Sequence, residues 1–165
     1  MIVMGIDQSL TCTGICIYDT EHREILHTEA IHSCKTHEDT YHDVMYRCNN
    51  IADRIADISD DFHVDDIMLE GLSYGSSGSA TRNLAMLFAT ICNALDLETP
   101  ATVAPATLKK FATNNGRASK KEMLAAIEEH NYELFEQLTN TTIKAGKYDI
   151  ADAYWLSQYY TENNL

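Results

Sequence analysis

The chain lacks the marks of a secreted, membrane-spanning or disulfide-stabilised protein. Its five cysteines form no CxxC pair and are irregularly spaced, which argues against a disulfide framework or a zinc site. No apolar stretch is long enough to cross a bilayer, and the N-terminal residues have the pattern of a strand rather than a signal peptide. We therefore expect one soluble domain of residues 1–165 in the cytoplasm, with no membrane partner.

Basic residues are also scarce, with 12 lysines and arginines against 25 acidic residues and a net charge of −13. Their distribution is uneven. Residues 71–121 contain six basic and two acidic residues, a net charge of +4, so the rest of the chain carries −17. Because salt screens charges beyond about 8 Å, such a local basic field can bind a polyanion, although an ordinary solvated face explains the composition equally well.

Apolar periodicity predicts a mixed α/β fold. Strands are predicted at 1–8, 14–19, 24–32, 64–70 and 101–104. Helices are predicted at 38–59, 80–95, 105–114, 119–130 and 146–160, with 131–145 part helix and part loop. The first three strands have short connections, which favours an antiparallel meander, and the element order favours a mixed sheet with helices on both faces.

Two apolar runs of this pattern end in a single acid. Asp7 follows the first strand, and Glu70 follows the run Ile67-Met68-Leu69. A charge at the end of a buried strand is costly unless something compensates it, and ligand sites of open sheets gather at strand ends. A divalent metal or a bound phosphate would supply that compensation.

Two further acids, Asp149 and Asp152, are three residues apart and share one face of the last predicted helix. Acids favour helix N-termini in any protein, but Asp152 lies between Ala151 and Ala153 in an apolar stretch, which indicates partial burial. Oxygen ligands of this kind suit Mg²⁺ or Mn²⁺ rather than zinc. Two such ions about 4 Å apart would serve in-line phosphodiester hydrolysis.

Three segments in this order resemble a known family. They are Gly-Ile-Asp-x-Ser-x-x-x-Thr-Gly at 5–14, Leu-Glu-Gly at 69–71 and Asp-Ile-Ala-Asp-Ala at 149–153. Together they resemble the RuvC-type Holliday junction resolvases, which have a ribonuclease H-like fold with a mixed five-stranded sheet flanked by helices. The segments at 104–110 and 116–120 resemble the same family, and the likeness covers nearly the whole chain.

The resemblance implies a homodimer that nicks opposing strands of a four-way DNA junction and leaves 5′-phosphate and 3′-hydroxyl ends. It implies that Asp7 bridges the metal ions, and that Glu70, Asp149 and Asp152 complete the catalytic and metal-binding set. Mg²⁺ would be the cofactor, two ions per active site, with Mn²⁺ as a substitute. The family's dimer interface falls on the helix at 80–95.

The resemblance places Lys109 and Lys120 at positions whose lysines contact junction phosphates. Tyr74 lies one residue beyond the position of the family's aromatic wedge, so stacking on a junction base and packing of the loop are equally good interpretations. The full predicted DNA-binding set is Tyr74, Arg82, Lys109, Lys110, Arg117, Lys120 and Lys121.

The sequence departs from the family pattern in two places. Gln8 and Ser9 stand where the bacterial family has Pro-Gly, and Ser73 stands at the wedge position. With the acidic composition, these departures suggest a phage or viral branch acting in a host cell, with a substrate range that extends to other branched DNA.

Three other functions share part of this pattern. A ribonuclease H acting on RNA–DNA hybrids has the same metal chemistry. A non-catalytic acidic protein that binds DNA junctions would not need four acids at strand ends and on one helix face. An actin-like or sugar-kinase-like ATPase shares the Asp-turn-Thr-Gly segment, but its duplicated domain does not fit in 165 residues.

Overall fold

A sheet of five strands with helices packed on both faces forms the protein. The computed structural model describes residues 1–72, 78–140 and 146–164. The strands are β1 (Ile2–Asp7), β2 (Cys12–Asp19), β3 (Glu24–His32), β4 (Asp66–Glu70) and β5 (Ala101–Val103). The helices are α1 (Thr40–Phe62), α2 (Ser79–Ala94), α3 (Pro105–Thr113), α4 (Lys120–His130), α5 (Tyr132–Asn140) and α6 (Lys147–Asn164). None of these helices is both long and apolar enough to traverse a membrane.

The strands lie in the order β3-β2-β1-β4-β5. β2 pairs antiparallel with both β1 and β3, which confirms the predicted meander. β4 pairs parallel with β1 and with β5. The sheet is therefore mixed, as predicted, and β1 at its centre joins the antiparallel half to the parallel half.

Side chains alternate between two apolar layers along the central strand. Met4 and Ile6 pack in the layer that contains α1 and α2, and Val3 packs in the opposite layer with α3 to α6. This alternation follows from the two-residue period of a strand. Burial of both faces confirms the predicted arrangement, and it fixes which strand residues point toward α6.

Helix α6 lies unusually close to the sheet. Residues 151–158 are all buried, so this helix has no solvent-facing stripe over those two turns. A Cβ atom on Gly5 would lie 2.0 Å from the carbonyl oxygen of Ala153, and one on Gly14 would lie 2.0 Å from that of Asp149. Only glycine permits this approach, so these two positions set the height of α6 above β1 and β2.

Some element boundaries differ from prediction. Helix α1 continues to Phe62, three residues past the predicted end, and stops because His63 takes a left-handed conformation with φ 51°. Helix α6 runs to Asn164 rather than 160. The segment 131–145 contains α5, where the Asn131 side chain accepts a hydrogen bond from the Leu134 N–H at 3.0 Å. Residues 141–145 lie outside the described part of the chain.

Candidate active site

Asp7 and Glu70 end two neighbouring parallel strands on the same face of the sheet. Ile6 pairs with Leu69 in the β1–β4 register, so the acids that follow them are adjacent. Both acids continue the alternation toward α6, because Val3 and Met68 on the same two strands pack in that layer. The prediction that these two acids meet at one strand end is consistent with this register.

The first turns of α6 bring in the other two acids. Asp7 pairs with Gly14 across β1 and β2. The backbone of Asp149 lies directly over Gly14, which places the start of α6 above the end of β1. Asp152 follows one turn later on the same helix face and is only 9% exposed. The burial predicted for Asp152 from its small, apolar neighbours is confirmed.

The pKa values of three acids show that they share one electrostatic environment. The pKa of Asp7 is raised well above its ordinary value, first by burial and then by the charges of Asp152 and Glu70. Burial and the charges of Glu70 and Asp149 raise the pKa of Asp152 to about 6. Burial likewise raises the pKa of Glu70. Buried carboxylates that repel one another in this way need a cation for all of them to ionise at neutral pH.

Two lysines supply positive charge to this cluster. The ammonium of Lys120 lies 2.9 Å from Oδ1 of Asp149 and 4.0 Å from Oδ2 of Asp152. The charge of Lys109 lowers the pKa of Glu70 and of Asp152, opposing the effect of burial. Both lysines are therefore close enough to the acids to act on them electrostatically.

The four acids are gathered at one edge of the sheet but are not drawn into a tight ligand shell. Within the described residues, no three of these carboxylates have oxygens mutually within 4.8 Å. The donor chemistry fits Mg²⁺ or Mn²⁺, because all four candidate ligands are carboxylates on rigid strands and a packed helix.

Another group of residues does have its ligand atoms this close to one another, and it was not predicted from the sequence. Asp19, His22 and Glu24 at the β2–β3 hairpin have ligand atoms within 4.8 Å of one another. Asp19 accepts hydrogen bonds from the backbone N–H of Glu21 at 2.9 Å and of His22 at 3.3 Å, and its Oδ2 lies 2.6 Å from Nδ1 of His22. The Asp-x-x-His spacing before a turn was the available signal, and these bonds satisfy Asp19 locally.

Two residues beside the candidate active site, Gln8 and Cys12, were also not predicted to contribute to it. Gln8, which sequence reasoning treats only as a departure from the family pattern, is 5% exposed, and its amide nitrogen donates to the Glu70 carbonyl at 2.5 Å. It thereby ties the end of β1 to the end of β4. Cys12 lies beside Asp149, and burial together with the charge of Asp149 raises the pKa of the thiol to about 12. The position of Gln8 next to Asp7 was the only sequence signal for either residue.

The predicted DNA-binding residues are distributed over three described elements. Lys109 and Lys110 are on α3, Lys120 and Lys121 open α4, and Arg117 lies between these two helices. Arg82 is exposed on α2. Tyr74 lies outside the described residues. The structure brings Lys109 and Lys120 to the acids, whereas Lys110, Arg117 and Lys121 are exposed on the same two helices and the turn that joins them.

Solved structures of other proteins have the same fold. The Thermus thermophilus RuvC structure superposes with a TM-score of 0.71 at 16% identity, covering 99% of this chain and 97% of that one. The chain has the RuvC fold. T. thermophilus RuvC in complex with a Holliday junction substrate gives 0.69 at 17% identity, with coverage of 95% and 90%. The yeast mitochondrial Holliday junction resolvase Ydc2 gives 0.65 at 15%, with coverage of 96% and 77%.

Comparison of sequences alone adds nothing to this likeness. No family model matches the sequence, and no curated protein matches it. At 15–17% identity the similarity to RuvC and Ydc2 establishes the predicted ribonuclease H-like fold. The chemistry must therefore be argued from the residues that this chain places on that fold.

Proposed function

We propose that this protein is a structure-selective endonuclease that resolves Holliday junctions, and that it also acts on other branched DNA. The observation that carries the proposal is the convergence of Asp7, Glu70, Asp149 and Asp152 at one end of the sheet in a RuvC fold. Residues 1–165 would form a single nuclease domain. It would act in the cytoplasm, or in a host cell if the chain belongs to the phage or viral branch.

The four carboxylates of Asp7, Glu70, Asp149 and Asp152 would hold two Mg²⁺ ions, with Mn²⁺ as a substitute. When bound, these ions would provide Lewis-acid activation of the attacking water and stabilise charge on the leaving oxygen of the phosphodiester. The chain itself supplies rigidity. The β1–β4 register holds Asp7 beside Glu70, and the glycine contacts of α6 hold Asp149 and Asp152 above them.

Basic residues near the acids would bind the DNA backbone. Lys109 and Lys120 are close to the carboxylates, so a phosphate that they hold would lie next to the metal-binding residues. Lys110, Arg117 and Lys121 would extend this surface, and Arg82 and Tyr74 would add contacts from the chain segment that follows Glu70. Phosphate contacts of this kind position the duplex without reading its sequence.

A homodimer would supply the paired nicks. Helix α2 buries Leu87 and Ile91 in the apolar layer that it shares with α1 and leaves Met86 37% exposed, so a second copy would contact its outer face. Two copies would place two active sites on opposing strands of one four-way junction. Each nick would leave a 5′-phosphate and a 3′-hydroxyl that a ligase can join.

The proposal is tested with four substrates of equal length: a four-way junction, a three-way junction, linear duplex DNA and an RNA–DNA hybrid. Each is incubated with the protein, with and without Mg²⁺, and the products are mapped at nucleotide resolution. We expect symmetric nicks in the four-way junction only when Mg²⁺ is present. Preferential cleavage of the hybrid would instead identify a ribonuclease H, and metal-independent binding without cleavage would identify a junction-binding protein.

A further inference from the structure

Lys120 is held at the mouth of the candidate metal site by the start of α4. The residue before it, Ser119, caps this helix. Its hydroxyl accepts from the Glu122 N–H at 3.3 Å, and the Glu122 carboxylate accepts from the Ser119 N–H at 2.7 Å. This reciprocal capping box fixes the backbone from which Lys120 extends. The lysine stem is therefore anchored at one end and free to rotate along its length.

The ammonium group of Lys120 is inserted among the acids. It lies 2.9 Å from Oδ1 of Asp149 and 4.0 Å from Oδ2 of Asp152. Its positive charge also acts on Asp7 and Glu70, so it influences all four predicted ligands. Yet the side chain remains 55% exposed, which leaves it a path out toward solvent.

A divalent cation and the Lys120 ammonium repel each other when both are bound to the same carboxylates, and they compete for the same oxygen lone pairs. A metal that binds Asp149 and Asp152 therefore weakens their ion pairs with Lys120 and favours displacement of the ammonium. Lysine carries a compact charge on a flexible stem of four carbons, so rotation of the stem relieves both costs. Once outside, the ammonium would remain within reach of a DNA phosphate beside the site.

We propose that Lys120 is an exchangeable internal counter-ion, which holds Asp149 and Asp152 in the metal-free protein and is displaced when a divalent cation binds. This inference rests on the proposed metal-dependent nuclease function. It assigns Lys120 two successive partners: the carboxylates before metal binding, and a DNA phosphate afterwards. Metal binding then prepares the site for DNA by releasing a cation as well as by neutralising the acids.

The proposal predicts the sign of an effect on metal affinity. Removing Lys120 removes the competitor, so Lys120→Met should bind Mn²⁺ more tightly than the unaltered protein. Ion pairs of half-exposed side chains couple only weakly, so we expect the gain in affinity to be roughly fivefold. Lys120→Arg keeps a cation that can reach Asp149 and should show no such gain.

The experiment measures binding of Mn²⁺ to the full chain without DNA, by electron paramagnetic resonance of the free ion. Lys121→Met is the matched control, because it removes the same charge from the next residue of α4, which is exposed. Thermal unfolding of each variant with and without Mn²⁺ checks folding and gives a second readout. Lys120→Gln replaces Lys120→Met if the latter fails to fold.

Tighter binding by Lys120→Met, with Lys120→Arg and Lys121→Met close to the unaltered protein, supports the exchange. Equal gains in Mn²⁺ affinity for Lys120→Met and Lys121→Met would show that net charge alone causes the effect, and this result would overturn the proposal. Unchanged or weaker binding by Lys120→Met would also overturn it, while Mg²⁺-dependent junction cleavage would leave the nuclease proposal intact. Absence of Mn²⁺ binding in every variant, with no cleavage, would overturn both.

Discussion

Two groups of acidic residues occupy opposite ends of this molecule and behave in opposite ways. At the β2–β3 hairpin, the bond with His22 and two backbone N–H groups lower the pKa of Asp19. At the other end of the same sheet, burial and mutual repulsion raise the pKa of Asp7 and of Asp152. The hairpin acid has local donors, whereas the acids of the candidate active site face one another.

The contrast distinguishes an acid that stabilises its own turn from the acids that we propose to be catalytic. A carboxylate that is satisfied by its own turn stabilises that turn and needs no further partner. Carboxylates brought together from β1, β4 and α6 are unfavourable when all of them are ionised, and folding tolerates them because packing elsewhere holds those elements in place. Tight spacing alone points to the hairpin, whereas the raised pKa values point to the acids of the candidate active site.

The largest expected effect is on catalysis. Asp7→Asn should reduce junction cleavage in Mg²⁺ below detection, because it removes the predicted bridging ligand, yet it should spare junction binding because the basic surface remains. Cleavage is followed on denaturing gels and binding by a gel-shift assay. If Asp7→Asn still nicks the junction in Mg²⁺, Asp7 is not part of the metal site.

The packing that assembles the site is tested at Gly14. Gly14→Ala places a methyl group against the Asp149 carbonyl and must push α6 away from the sheet. We expect it to lower the free energy of unfolding by about 3 kcal/mol, at the upper end of overpacking effects. Denaturant unfolding measures this. Gly78→Ala is the control, since a Cβ there meets no atom of the described residues within 4 Å beyond its chain neighbours, and a similar loss in both variants would contradict the packing argument.

Asp152 tests the repulsion itself. Its pKa of about 6 in the folded protein lies above its ordinary value of 3.8, so the stability that it contributes is present below pH 4 and is lost as the pH rises through 6. Without divalent cations, Asp152→Asn should therefore stabilise the protein by about 2 kcal/mol at pH 8 and by less at pH 5. Urea unfolding at the two pH values measures the difference, and equal effects at both would contradict the assigned pKa shift.

The basic surface predicts a smaller effect on DNA binding. Lys109→Ala combined with Lys120→Ala should weaken junction binding roughly tenfold and reduce the slope of log K against log salt by about 2, one for each phosphate that the variant no longer neutralises. Arg23→Ala, which removes one positive charge at the β2–β3 hairpin, at the other end of the sheet from the acids, serves as the control. An unchanged slope in the first variant would remove both lysines from the DNA-binding face.

The smallest effect is expected at the hairpin. Hydrogen bonding to Asp19 raises the pKa of His22, so the bond contributes stability that is lost as the pH rises through that raised pKa. The pKa of Asp19 is lowered, so the stability that the bond contributes is also lost as the pH falls through that lowered pKa. Asp19→Asn should therefore cause a slight loss of thermal stability that is greater at pH 5 than at pH 9, and no change in cleavage. A loss of cleavage would give the hairpin group a role in the active site.

Much of the fold follows from local pattern. The strand ending in Asp7 and the strand ending in Glu70 are legible as apolar runs, and the cap at Ser119 is legible as Ser followed by Glu three residues later. The four acids could be named because each stands at a recognisable place in such an element. The helix within residues 131–145 was not clearly predicted, because the amphipathic helix α5 is short and only Asn131 separates it from α4.

The sequence alone thus predicted the mixed sheet, the burial of both its faces and the four candidate acids, because strand and helix periods are local properties. It could not predict the distances between those acids, the position of the Lys120 ammonium beside two of them or the hydrogen bond from Gln8 to the Glu70 carbonyl. Those depend on contacts between residues tens of positions apart. Strand register and the approach of α6 over Gly5 and Gly14 decide them, and such contacts exist only once the whole sheet has formed.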